Sequence, residues 1–193
     1  MEPLRITQEM LDELLSGLVL TGATPDQLRE RAETLYSWAT DAGRFELGPG
    51  VSRAAVLSSA AEDYMVAGDT DRGLEVALEA KAAAGPGEYE PHATLIAIYV
   101  ERGDVAAARA VAEEARSGVA SDPIVADLIG DSFELAGEFA QAERIYSIGL
   151  RGASRDADGI WYERLLRDRH RVRRDQNKPL DGFDEEFEAF TGE

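Results

Sequence analysis

The stretch YVERGDVAAA, residues 99–108, varies a phrase that the chain states twice more, as YMVAGDTDRG from Tyr64 and as FELAGEFAQA from Phe133. With Gly68, Gly103 and Gly137 set in register, the spacings are 35 and 34 residues. Further positions then align. An aromatic stands four residues before each glycine (Tyr64, Tyr99, Phe133) and an acid directly after it (Asp69, Asp104, Glu138). A very small residue follows at five (Gly73, Ala108, Ala142) and again at twelve (Ala80, Ala115, Gly149). Self-similarity at a fixed period of this length is the mark of a repeat architecture.

Each shared position has a physical reason. Glycine takes positive φ without steric cost and so ends a helix, while an acid behind it suits the positively polarised start of the next. The unit is therefore predicted to be helix, tight turn, helix. Tiny residues on the second helix let it approach the first closely, and the aromatic fills the remaining space. Pro86 and Pro91 punctuate the second unit, and Asp122-Pro123 opens the third as a cap followed by a first-turn proline.

These residues resemble the tetratricopeptide repeat family, whose 34-residue period carries Leu-Gly, Tyr, Gly, Ala, Tyr, Ala and Pro at fixed offsets. The third unit matches best, with Ile129, Gly130, Phe133, Gly137, Ala142, Tyr146 and Gly149. In the second, Leu95, Tyr99, Gly103, Ala108 and Ala115 fit, but Ile96 and Ala112 replace a small residue and an aromatic. The first keeps Tyr64, Gly68 and Ala80, with Gly73 for the alanine. The resemblance covers residues 54 to 155. It implies an all-α fold, a right-handed α-solenoid of stacked antiparallel helix pairs, with an N-terminal helix pair and a C-terminal capping helix. The expected organisation is a helix pair over 1–50, three repeats over 51–155, an Arg-rich capping helix over 156–178 and an acidic Phe-containing tail over 179–193.

The N-terminal pair is read from the residues. Met10, Leu11, Leu14, Leu15 and Leu18 recur at helical spacing, and Thr24-Pro25-Asp26-Gln27 is a capping-box start to a second helix carrying Leu28, Ala32, Leu35, Tyr36 and Ala39. The glycine-rich stretch ELGPGVS, 46–52, is expected to be a turn into the repeats.

Composition narrows the function. The 193 residues are 44% apolar, enough for a core, and no apolar run approaches the ~18 residues of a membrane span. The start has no signal-peptide pattern, so a cytoplasmic protein is expected. Net charge is −18, which repels phosphate backbones and anionic lipid and disfavours nucleic acid and membrane partners. Residues 1–150 hold 27 acids and 11 bases, 164–178 hold seven Arg or Lys against two acids, and 181–193 hold six acids and no base.

Catalytic constellations are sparse. There is no cysteine, which excludes disulfides, thiolate nucleophiles and thiolate metal sites. His92 and His170 are far apart and outside any metal-ligand spacing, so both are expected at exposed or capping positions. GPGVSR, 48–53, lacks the lysine and strand of a phosphate loop, and DTD, 69–71, lacks the rest of a calcium loop. No enzyme, no cofactor and no metal are expected.

The Arg-rich segment 161–178 places Trp161, Leu165 and Val172 on one helical face and Arg164, Arg167, Arg171 and Arg174 on another. It reads either as a cap whose arginines face water or acids, or as a contact surface for an acidic partner or RNA. Phe183, Phe187 and Phe190 then recur at helical spacing among acids, either folded back on the chain or docked on a partner or a second copy. The resemblance to the tetratricopeptide family puts Ser58, Glu62, Met65, Ala93, Ala97, Val100, Asp127, Asp131 and Glu134 on a concave partner-binding face. With no lysine or asparagine there, a C-terminal carboxylate is a poor ligand, and a basic or amphipathic segment, or the chain's own arginine face, fits better. The expected function is a non-catalytic protein-interaction scaffold; an RNA-linked adaptor using the four arginines and an enzyme accessory subunit are the alternatives.

Overall fold

The computed structural model describes residues 2–19 and 22–192; the side chains of residues 17–19, Leu18 among them, lie outside the described ones. Among the described residues the chain is all-helical apart from one small ribbon. It divides into two compact units, Met1–Ile98 and Tyr99–Glu193.

The first unit opens with β1 (Leu4–Ile6), α1 (Gln8–Val19), α2 (Pro25–Thr40) and β2 (Phe45–Leu47), then α3 (Arg53–Val66) and α4 (Thr70–Ala83). The Thr24 capping box forms as its sequence requires, with Thr24 accepting from the Gln27 N–H and the Gln27 side chain accepting from the Thr24 N–H. Leu28, Ala32 and Leu35 of α2 are buried, as are Val56, Leu57, Ala60, Ala61 and Tyr64 of α3 and Val76, Ala77 and Ala80 of α4. Each large side chain removed from water contributes about 1.5–3 kcal/mol. Gly73 permits a close approach of α4 to α3, since a Cβ there would lie 3.0 Å from the Ala61 carbonyl.

The ribbon was not expected. β1 pairs in parallel with β2, Leu4 opposite Phe45 and Ile6 opposite Leu47, and Ile6 is fully buried. Three-residue strands are too short for a period of two to stand out in sequence. The segment read as a turn therefore starts within a strand, and the turn proper follows at Gly48.

α5 (Glu90–Glu101) contains the boundary between the units. The second unit continues with α6 (Val105–Glu114), α7 (Arg116–Ser121), α8 (Pro123–Leu135), α9 (Phe139–Gly152), α10 (Arg155–Asp175) and α11 (Gly182–Thr191). Where one second helix was expected for the middle repeat, the backbone breaks at Ala115 and leaves α6 and α7. α10 is bent at Gly159, whose φ of 31° and ψ of −99° are non-helical. Val125, Ala126, Ile129 and Phe133 of α8, Ala142, Ile145 and Tyr146 of α9, and Tyr162, Leu165 and Val172 of α10 are buried.

The three aligned glycines take φ of 84°, 74° and 72°. At each, the glycine N–H bonds the carbonyl three residues back, and the following acid donates its N–H to the aromatic's carbonyl, 2.8 Å away in all three (Asp69 to Tyr64, Asp104 to Tyr99, Glu138 to Phe133). This double closure explains why an aromatic, a glycine and the next residue keep fixed spacing. The acids all occupy the N-cap, but only Asp104 accepts a capping bond, from Ala107 at 3.0 Å. Glu138 pairs with Arg109 instead.

Candidate functional site

In the second unit, α8 carries Asp127, Asp131 and Glu134 at spacings of four and three, hence on one helical face. α10 lies against it. Arg164 donates from Nε to Asp127 at 2.7 Å and from Nη2 to Asp131 at 3.0 Å. Arg171 meets Glu134 at 2.7 Å and Asp168 at 3.0 Å. Arg167 pairs with Asp168 at 3.2 Å. The Tyr146 hydroxyl donates to Asp131 at 2.7 Å.

Asp127 and Asp168 are buried. Burial is the main reason the Asp127 carboxyl is pushed up to about 6, with Asp131 and Asp168 adding to the effect and Arg164 opposing it. Glu134 is also raised, again chiefly by burial. Oxygens of Asp127, Asp131 and Asp168 lie within 4.8 Å of one another, a separation that would suit a cation. The cation present is Arg164, bonded to two of them and 3.8 Å from the third.

A pH dependence follows. Below about pH 4 Asp127 is protonated whether the chain is folded or not. Between 4 and 6 the folded chain keeps a proton that the unfolded chain has lost, so stability falls as pH rises, by at most about 3 kcal/mol. Unfolding measured from pH 4 to 7.5 is expected to show this decline in the wild type and a flatter profile in Asp127→Asn. Parallel profiles would count against it.

A second network holds the tail. Arg169, buried, pairs with Asp181 at 2.5 Å and Asp184 at 3.3 Å, and Arg173 pairs with Glu143 at 2.5 Å and Asp184 at 2.8 Å. The bond from Arg169 is the chief reason Asp181 is lowered to about 2. Asp181 also caps α11. The three phenylalanines sit on α10: Phe183 under Arg169 at 5.1 Å, Phe187 against His170 at 4.9 Å and Phe190 under Arg155 at 5.0 Å. His170 is 7% exposed, which corrects the expectation of an exposed histidine; Phe187 from α11 covers it. His92 lies half-buried in the first turn of α5.

In the first unit, Ser58, Glu62 and Met65 hold the same register on α3 as Asp127, Asp131 and Glu134 on α8. The Thr94 hydroxyl of α5 donates to Glu62 at 2.7 Å. Surrounding protein raises the Glu62 carboxyl, although water reaches the side chain. Ser58 is buried with its hydroxyl unpartnered. No cation pairs with Glu62 among the described residues. On α5, Ala93 is buried and Ala97 and Val100 are half-buried.

Asp168, Arg169, Arg173 and Thr94 were not expected at these contacts. The one local signal was the i, i+4 spacing of Arg169 and Arg173, which sets them on a separate face from Arg164 and Arg171. Of the four arginines singled out, Arg174 alone has no carboxylate partner among the described residues. No helix among those residues is long and apolar enough to cross a membrane. The chain matches no family model, no curated protein and no solved structure.

Proposed function

We propose that this protein is a non-catalytic interaction scaffold, built from helix pairs of the tetratricopeptide type, which receives a basic helical segment of a cytoplasmic partner protein on the α3 face around Glu62. One observation carries the reading. The acidic face of α8 is engaged by arginines of a helix, Arg164 and Arg171 of α10, whereas Glu62, in the register position of Asp131, has a hydrogen bond from Thr94 and no cation among the described residues. The α10 contact within the second unit is thus a pattern for the ligand expected in the first: arginines seven residues apart on one helix, set against an acid-bearing helix. The aromatic-glycine-acid closures, repeated three times, support the repeat assignment.

The RNA reading is weaker, because Arg164, Arg167 and Arg171 are neutralised by carboxylates of the same chain.

Affinity capture with wild-type protein and Glu62→Lys tests the proposal. Proteins retained by the wild type are expected to fall at least tenfold on the charge-reversed chain, since a like charge at the contact repels a basic segment. Identical retention by both, or no retention by the folded wild type, would overturn it.

A further inference from the structure

Residues of α1 and α2 line an open groove of about 600 Å³ that lies outside the repeat register. Its apolar surface comes from Met10, Leu14 and Trp38, all only half-buried. Two acids, Glu13 and Glu30, border it. Neither carboxylate has a cation partner among the described residues. The remaining charge on the lining, Arg31, is neutralised by a bidentate bond to Asp63. The groove is elongated: on α2 its lining runs from Gln27 to Trp38, eleven residues or about 16 Å of helix. On α2 it uses the stripe of Gln27, Glu30, Arg31, Thr34 and Trp38, which runs beside the buried Leu28, Ala32 and Leu35, so α2 presents a second stripe with apolar content at Trp38.

We propose that this groove is a docking site for a basic amphipathic helix of a partner protein, with apolar side chains against Met10, Leu14 and Trp38 and lysines or arginines at Glu13 and Glu30. Three features select this occupant. Apolar surface along two helices suits a row of side chains at i, i+3/i+4 and i+7. The length along α2 matches three turns of a ligand helix better than a compact small molecule. Two unpaired carboxylates with Arg31 cancelled leave the site net negative, which favours a cationic ligand and rejects an acidic one. The proposal shares the scaffold reading but uses another surface, so Glu62→Lys leaves it untouched.

The probe is a synthetic 14-residue Leu/Lys amphipathic peptide, with its Leu/Glu counterpart as control. Trp38 and Trp161 are the two tryptophans, so Trp161→Phe leaves Trp38 as the reporter. The Leu/Lys peptide is expected to bind with a blue shift of Trp38 emission. Leu14→Asp should weaken it at least tenfold, and Glu13→Gln with Glu30→Gln about fivefold or more. Glu13 and Glu30 are exposed at the rim, so the glutamine variant reads binding without disturbing the fold. Equal binding of the Leu/Glu peptide, binding that leaves Trp38 emission unchanged, or sedimentation showing that a second copy of the chain covers Trp38 would each overturn the proposal.

Discussion

Arg31→Ala is expected to destabilise the first unit by about 3–5 kcal/mol, the loss typical when one partner of a buried ion pair is removed. The Arg31 and Asp63 side chains are 11% and 8% exposed, so water cannot replace either partner. Nε and Nη2 grip both carboxylate oxygens, at 2.7 and 2.6 Å, while Nη1 donates to the Leu15 carbonyl at 2.9 Å. One guanidinium therefore ties α1, α2 and α3 together. The alanine variant leaves the buried Asp63 carboxyl group without its partner and the Leu15 carbonyl without this donor. Urea unfolding followed by Trp38 fluorescence in a Trp161→Phe background measures the loss. The double variant Arg31→Met with Asp63→Leu should recover much of it, because an apolar pair removes the orphaned carboxyl group. A single-variant loss under about 1 kcal/mol would show that solvent reaches the pair.

Gly130→Leu is expected to cost the second unit about 3 kcal/mol or more, at the upper end of the effect of overpacking. A Cβ at Gly130 would lie 2.1 Å from Cε1 of Tyr146 and 2.6 Å from Cδ1 and Cζ. The ring cannot withdraw easily: Tyr146 is fully buried and its hydroxyl is bonded to Asp131. Gly130→Ala should cost less than Gly130→Leu, since it brings the same Cβ against the ring without leucine's three further carbons, while both regain roughly 1 kcal/mol of helix propensity over glycine. Denaturation followed by Trp161 in a Trp38→Phe background gives both values. If the ring contact is the cause, Gly130→Leu combined with Tyr146→Ala will be less destabilised than the sum of the single variants. Additive losses would point to another cause.

Gly130 was legible in the repeat register because its partners stand at short, fixed offsets. Gly137 follows seven residues later and Tyr146 sixteen later, separations set by one helix, a turn and the next helix. Geometry of that kind repeats with the chain and so can be read along it. Arg31 and Asp63, by contrast, are 32 residues apart, and no local rule links them.

The helix-turn-helix units, the positive-φ glycines, the capping box at Thr24 and the amphipathic helices that carry the acids and arginines were all written in the residue order alone. These depend on backbone sterics and on contacts within a few residues. Folding in three dimensions was needed to establish that Arg164 and Arg171 neutralise the α8 acids and that Phe187 covers His170. The same holds for the pairing of two three-residue strands and for the bond from Thr94 to Glu62. Each of these depends on which distant side chains meet and on how much water is excluded where they do, and charge pairing and burial over such separations arise from packing.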